Sequence, residues 1–256
     1  LDGQIRYTSS ASEKLNIQFE WLARAEGIYN EPSDTGIASK LADFWDGFQQ
    51  LATEPESFAA RTNILNKTDQ LTSVINEAYD KFTRFRKDLD SSLNQIVEQV
   101  NNLGGEVARL NDAIFHVETG LHSEANDLRD SRDKALDELS ELIGISYSSA
   151  DNEMVNVFVG TNPLVWENDL QKLEVRRDIL DASKAEVVWE TGDRNVDVSS
   201  GKIAGFLEVR DQLVPTYMDD LNSFASTLIQ EANKIYSKGV SLNPLTALES
   251  ELSHEA

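Results

Sequence analysis

The chain has 256 residues, 40% of them apolar, which is enough for one large domain or two ordinary domains with a hydrophobic core. Its 45 acidic and 23 basic residues give a formal charge of -22, which excludes nucleic acid and an anionic membrane surface as partners. Because there is no cysteine, disulfides, thiolate metal sites and a cysteine nucleophile are excluded as well. No stretch resembles a membrane-spanning helix or a cleaved secretory signal.

The first fifty residues have the apolar spacing of two helices. Ser12 is predicted to begin the first helix, and Asp34 or Thr35 to cap the second, which ends before Pro55. The first apolar stripe comprises Leu15, Phe19, Leu22 and Tyr29. The second comprises Ile37, Leu41, Phe44, Phe48 and Leu51.

The longest apolar pattern follows Pro55. From Leu71 to Ile114 the apolar residues alternate at steps of three and four, which is the spacing of a coiled-coil seam. The pattern predicts one helix over about residues 57–116, on the order of 90 Å long. Gly104-Gly105 is the expected kink or break, since each glycine costs a helix about 1 kcal/mol.

A return helix is predicted within Ala125–Tyr147, with Asn126 as its N-cap and Gly144 as a left-handed C-cap. Its charged residues could be an acid–base site or a solvated helix face. The neighbouring guanidinium groups lower carboxylate pKa values, so the pattern favours a salt-bridged surface. These charged residues are Asp127, Arg129, Asp130, Arg132 and Asp133.

Between Ile145 and Val198 the apolar residues recur at every second position instead of every third or fourth. Short runs such as "MVNVFVG" and "AEVVWET" predict a small antiparallel meander there. Trp166 and Trp189 are expected in the core of this meander, and Trp45 in packing between helices. The helical period returns near Gly201, and Pro215 marks a start or a kink in the last helix.

One group of residues resembles a metal site: His116, Glu118, His122 and Glu124. A polar turn around Gly120 accounts for the same residues, and no second ligand pair completes a coordination shell. No nucleotide, zinc-protease or serine-hydrolase motif occurs. The sequence therefore predicts no enzyme, no cofactor, and no catalytic or metal-binding residue.

These elements predict an α+β fold: an elongated bundle of long antiparallel helices, a coiled-coil-like rod, with a small antiparallel β subdomain. The expected divisions are the outgoing helices of the rod at 1–144, the β subdomain at 145–200, the returning helix at 201–240 and an acidic tail at 241–256. The residues expected to form the structural seam of the rod are Leu89, Leu93, Ile96, Val100, Leu103 and Leu110, with Leu136, Leu139 and Leu142 as their partners.

Three stretches in the same order resemble one family. They are "LADFWDGFQQLATEPESFAARTNIL", "NDLRDSRDKALDELSELIGISY" and "GFLEVRDQLVPTYMDDLNSFASTLIQEANKIYSKG". Together they are similar to the flagellar hook-associated protein 1 family, the hook–filament junction proteins, over most of residues 34–240.

The resemblance implies a structural subunit of the bacterial flagellum that joins hook to filament by self-association on the hook tip. Its implied partners are copies of itself, the hook protein and the second junction protein. It also implies an extracellular location, reached through the flagellar secretion apparatus without a cleaved signal. The family's segments before Leu1 and after Ala256 are absent, so the isolated fragment is expected to be monomeric.

Other functions remain open at this point. One is another flagellar axial protein, such as flagellin or the second junction protein. A soluble coiled-coil binding module is another, and a metal-dependent hydrolase that uses His116 to Glu124 is the third.

Overall fold

The computed structural model describes residues 2–29, 31–121, 124–150, 153–177, 185–192 and 194–237. The helices are α1 (Asp2–Tyr29), α2 (Ile37–Thr53), α3 (Phe58–Leu121), α4 (Asn126–Leu142), α5 (Gly201–Glu208) and α6 (Val214–Tyr236), with a π-helical turn at Val209–Leu213. The strands are β1 (Ser146–Ser149), β2 (Val155–Val159), β3 (Asn162–Trp166), β4 (Asp169–Leu170), β5 (Leu173–Arg177) and β6 (Ala185–Trp189). The chain divides into two compact units, Leu1–Pro215 and Thr216–Ala256. None of the described helices is long and apolar enough to cross a membrane.

Helix α3 contains 64 residues without interruption, about 95 Å at 1.5 Å per residue. The expected break at Gly104-Gly105 is wrong, and the reason is the contact between α3 and the β strands. A Cβ atom added at Gly104 would lie 2.7 Å from Leu170 Cδ1, with Leu164 and Val165 also within 4 Å. The glycine therefore leaves room for β3 and β4 to lie against the helix.

The two glycines should respond differently to substitution. Gly104→Val is expected to destabilise the protein by about 1–3 kcal/mol, because the added side chain overlaps Leu170. Gly105→Ala is expected to stabilise it by up to about 1 kcal/mol, since the nearest atom to an added Cβ is 3.7 Å away. Urea unfolding measures both effects, and equal responses at the two positions would contradict the proposed contact.

Helix α1 begins at Asp2 rather than Ser12, and it buries a face other than the predicted stripe. Leu15 and Phe19 are 64% and 78% exposed. The buried residues are Arg6, Ser10, Trp21 and Ala25. The buried face contacts α5, where Trp21 packs on Phe206 and a Cβ added at Gly205 would lie 2.7 Å from the carbonyl oxygen of Lys14. The close approach of the two backbones therefore determines which face of α1 is buried.

Helix α2 is capped by a residue that local sequence rules do not identify. Its N-cap position is Gly36, which has no side-chain cap, so neither Asp34 nor Thr35 serves as predicted. Instead, the Glu31 carboxylate accepts a 2.8 Å hydrogen bond from the backbone N–H of Ala38. An acceptor at the helix N-terminus satisfies a backbone donor and interacts favourably with the helix dipole.

Both predicted caps of α4 are also wrong. Ala125 occupies the N-cap position in place of Asn126, and the C-cap is Ile143 in an extended conformation. Gly144 instead lies close to the start of α5: a Cβ added there would overlap Ser200 Oγ. Its N–H donates to the Ser200 carbonyl oxygen at 3.1 Å, which joins the end of α4 to the start of α5.

The strands form two sheets rather than the single meander predicted. One has four antiparallel strands in the order β1–β2–β3–β4, and the other pairs β5 with β6. Trp189 is buried at 1% exposure, as expected, but Trp166 is 50% exposed and lies against the ring of Phe158. Trp45 is half-buried against Phe44 and Phe48.

Candidate functional site

The seam residues are carried by α3 and α4, which contact each other and run antiparallel. Leu103 and Leu142 line one groove between these helices, and Arg132 of α4 bonds to Asn111 of α3. Seven of the nine seam residues are buried: Leu89, Leu93, Val100, Leu110, Leu136, Leu139 and Leu142.

Ile96 and Leu103 are only half-buried. Between Leu93 and Val107 the buried positions are Val97, Val100 and Gly104, so the steps along the buried face are four, three, four and three instead of the predicted three, four, three and four. This shift brings Gly104 to the face that contacts the β strands. The contribution of the seam to rigidity stays a prediction.

A buried polar centre joins the helices to the sheet, and its central residue is Asn111, which is 0% exposed. The Asn111 amide donates to the carbonyl oxygens of Val155 and Glu167, at 2.8 and 2.6 Å. Its oxygen accepts from the Val155 N–H at 3.1 Å and from Arg132 at 3.0 Å. One amide side chain therefore links α3, α4, β2 and the turn after β3.

Arg132 is the second member of this polar centre, and its placement corrects the surface prediction. Its side chain is 6% exposed and donates to the Glu153 carbonyl oxygen at 2.9 Å, while its Nε has no hydrogen-bond partner among the described residues. Burial lowers the pKa of this guanidinium. Glu153 and Glu167, whose carbonyls accept these bonds, both have positive φ angles, 63° and 57°. The two strained turns thus direct backbone oxygens toward the centre.

Asp127, Asp130 and Asp133 are exposed, as predicted. Arg129 does not pair with Asp133, however. It forms a bidentate pair with Glu118 of α3, at 2.9 and 2.7 Å, and contacts Glu153 at 3.0 Å. Nothing in the local spacing identifies these partners, because they come from another helix and from a strand connection.

The Glu118 pair predicts a pH dependence. Hydrogen bonds from Arg129 and from the Ala125 N–H hold the pKa of the Glu118 carboxyl below its usual value of 4.5. A lowered folded-state pKa stabilises the protein above pH 4.5, and this stabilisation is lost as the pH falls through the folded-state value. Glu118→Gln should therefore lower the melting temperature at pH 7 and have a vanishing effect in acid.

The measurement compares the melting temperatures of the wild type and Glu118→Gln from pH 7 to pH 3. Glu98→Gln, at an exposed position of α3, controls for the loss of one negative charge. A difference between wild type and Glu118→Gln that persists unchanged at the lowest pH would contradict the ion pair.

The residues of the metal-like cluster have other partners. Arg129 occupies both oxygens of Glu118, and His116 is exposed and lies 3.6 Å from Asp112. His122 lies outside the described residues. Within the described part of the chain, no group of three His, Asp or Glu side chains is arranged to hold a metal ion.

A second buried arginine, Arg210, lies in the π-helical turn and is 1% exposed. It forms a bidentate pair with Asp211 at 2.7 Å, contacts Asp90 of α3 at 3.3 Å, and donates to the Ala185 carbonyl oxygen of β6. Arg210 thus joins the helices to the second sheet as Asn111 joins them to the first. Sequence periodicity cannot reveal it, because a charged residue on an apolar face appears only as an interruption.

Arg132 and Arg210 both bond to groups on other helices and strands, and these contacts hold the elements in position. The long uninterrupted helix, the two small sheets and these internal contacts define an α+β domain. The chain belongs to the family described as the flagellar hook-associated protein FlgK helical domain, whose model matches residues 22–247.

Individual relatives agree with this assignment. The chain is 23% identical to flagellar hook-associated protein 1 of Escherichia coli K12 over 252 residues, covering 95% of this chain and 46% of the relative. It is 26% identical to the Bacillus subtilis 168 protein of the same name over 272 residues, covering 94% and 53%. The chain thus spans about half the length of these curated relatives.

A solved structure has the same fold. The flagellar hook junction protein FlgK from Burkholderia pseudomallei matches with a TM-score of 0.71 and 23% identity, over 82% of this chain and 39% of that one. This confirms the predicted α+β fold with long helices and small antiparallel sheets.

Proposed function

We propose that this chain is the helical part of a structural subunit of the bacterial flagellum, which joins the hook to the filament by self-association on the hook tip. The family match over residues 22–247 carries the proposal. It favours hook-associated protein 1 over flagellin, the second junction protein or a general coiled-coil binding module. It also favours a structural role over catalysis.

The contacts that Asn111 and Arg210 make between the helices and the sheets support a mechanical role. Helix α3 runs through 64 residues. Asn111 connects it to the four-stranded sheet, and Arg210 connects it to the two-stranded sheet at a separate point along its length. A helix braced at two points resists bending better than an isolated one, so the subunit can keep its geometry between two unlike assemblies. The division into rod, β subdomain, returning helix and tail stays a prediction.

The proposed neighbours are copies of the same protein, the hook protein and the second junction protein. The proposed location is extracellular, in the flagellum, after export through the flagellar secretion apparatus without a cleaved signal. The isolated chain is expected to be monomeric.

The test adds the full-length protein that contains this chain to isolated hooks and uses electron microscopy to find where it binds. Binding at the hook tip, followed by filament growth when flagellin and the second junction protein are supplied, is the expected result. A well-folded full-length protein that leaves matched hooks bare at the tip would overturn the proposal.

A further inference from the structure

A second asparagine on α3, Asn101, bonds to the two-stranded sheet as Asn111 bonds to the four-stranded one. The Asn101 amide donates to the Leu173 carbonyl oxygen at 2.8 Å, and its oxygen accepts from the Leu173 N–H at 2.8 Å. Asn111 makes the same two bonds to Val155. Each asparagine therefore takes the place of a neighbouring strand beside one residue, because it satisfies both of that residue's main-chain groups.

The two sheets are separate from each other. No described strand of one sheet pairs with a strand of the other. Gln171 and Lys172 are the only residues between β4 and β5, and both are exposed. The Gln171 N–H donates to the Leu164 carbonyl oxygen of β3, whereas the Lys172 carbonyl oxygen accepts from the Glu190 N–H at the end of β6. The main chain therefore leaves one sheet and joins the other between two adjacent residues.

The two-stranded sheet lies along α3 and is bonded at each end. Leu173 bonds to Asn101, and at the opposite end the Ala185 carbonyl oxygen accepts from Arg210, which contacts Asp90 of α3. Asp90 and Asn101 are about 16 Å apart along the helix, and β5 spans about 13 Å. The points at which α3 meets the two ends of the sheet are therefore separated by about the length of the sheet.

The two-stranded sheet has less support than the four-stranded one. A hairpin of two strands is only marginally stable in water by itself. Trp189 of β6 is 1% exposed, and its Nε1–H has no hydrogen-bond partner among the described residues, which costs free energy. The four-stranded sheet, in contrast, is held by Asn111 and also by Arg132, which bonds to the Glu153 carbonyl oxygen just before β2.

We propose that β5 and β6 open from the helices as one unit while the four-stranded sheet stays in place, and that Asn101 is the positioning residue that controls this opening. Units with few anchoring contacts open at a lower free energy than the whole protein. Once the bonds to Asn101 are broken, the two strands lose the helix that supports them, so their amide protons exchange with solvent.

Hydrogen exchange of the wild-type chain, followed by mass spectrometry, tests the separate opening. After correction for intrinsic rates, β5 and β6 should exchange at least roughly tenfold faster than β2 and β3. Exchange in β5 and β6 should also depend little on low urea concentrations, because opening a small unit exposes little surface. If both sheets exchange at the same rate with the same urea dependence, they open only together and the proposal fails.

The role of Asn101 is tested by Asn101→Ala, with the exposed neighbour Asn102→Ala as the matched control. Asn101→Ala should speed exchange in β5 and β6 by a further factor of roughly ten, because both bonds to Leu173 are lost. Asn102→Ala should change it by less than about twofold. Equal responses to the two substitutions, or an Asn101→Ala variant that does not fold, would contradict this role.

Asn111→Ala tests the independence of the two sheets. Asn111 keeps its bonds whether β5 and β6 are closed or open, so this substitution should leave their exchange within about twofold of the wild type. It should speed exchange in β2 and β3, whose opening breaks those bonds. If Asn111→Ala speeds exchange equally in both sheets, the two-stranded sheet does not open by itself.

Discussion

Replacing Asn111 with alanine is expected to lower the free energy of unfolding by about 3–5 kcal/mol. The substitution removes four hydrogen bonds at a fully buried position and leaves the Arg132 guanidinium without its side-chain acceptor. It also leaves backbone groups of Val155 and Glu167 without their side-chain partner. Chemical denaturation followed by circular dichroism measures the loss.

The matched control is Asn94→Ala, at an exposed position on the same helix. The Asn94 amide donates to the Asp90 carbonyl oxygen within its own helix, and a change within about 0.5 kcal/mol is expected. A second arm tests the coupling: Arg132→Met in the Asn111→Ala background should recover part of the stability, because it removes the unpaired buried charge. If Asn111→Ala is no more harmful than Asn94→Ala, the polar centre does not hold the sheet to the helices.

The second large effect is expected at the seam. Leu93→Asp should destabilise the protein by more than about 4 kcal/mol, because it places a carboxylate at a position that is 1% exposed. Ile96→Asp should cost distinctly less, since Ile96 is half-buried and its substituted side chain can reach water. Thermal unfolding of both variants measures the difference.

Gln95→Asp, between these two positions and exposed, controls for adding a negative charge to this part of α3. The expected order of melting temperatures is Gln95→Asp highest, then Ile96→Asp, then Leu93→Asp. An Ile96→Asp variant as unstable as Leu93→Asp would show that the buried face of α3 follows the spacing predicted from sequence instead of the one in the structure.

The sequence predicted the long helices well, because an apolar period near 3.6 that is maintained over many turns is specific to an α-helix. It did not predict correctly which face of a helix is buried. In α1 the side chains of Leu15 and Phe19 dominate the pattern, yet the helix buries Arg6, Ser10, Trp21 and Ala25 instead. The cause is the close contact between α1 and α5 at Gly205, and a contact between distant segments leaves no periodic signal.

The polar centres were not predicted, and the reason is similar. Arg132 is adjacent in sequence to Asp133, which suggests a surface pair, but its partners are Asn111 and a backbone carbonyl 21 residues away. The role of Gly104 likewise depends on a contact between segments that are distant in the sequence. Its helix propensity suggests a break, but its lack of a side chain is what allows the sheet to approach.

The four segments that meet at Asn111 have a consequence for the order of events in folding. Its partners lie 21, 44 and 56 residues away along the chain, so the centre is complete only after both the hairpin of helices and the sheet have formed. Contacts that close such long loops tend to form late. Loss of Asn111 should therefore accelerate unfolding more than it slows refolding, and the two arms of a chevron plot would separate these effects. The Asn111 contacts would then be the last to form during folding and the first to break during unfolding.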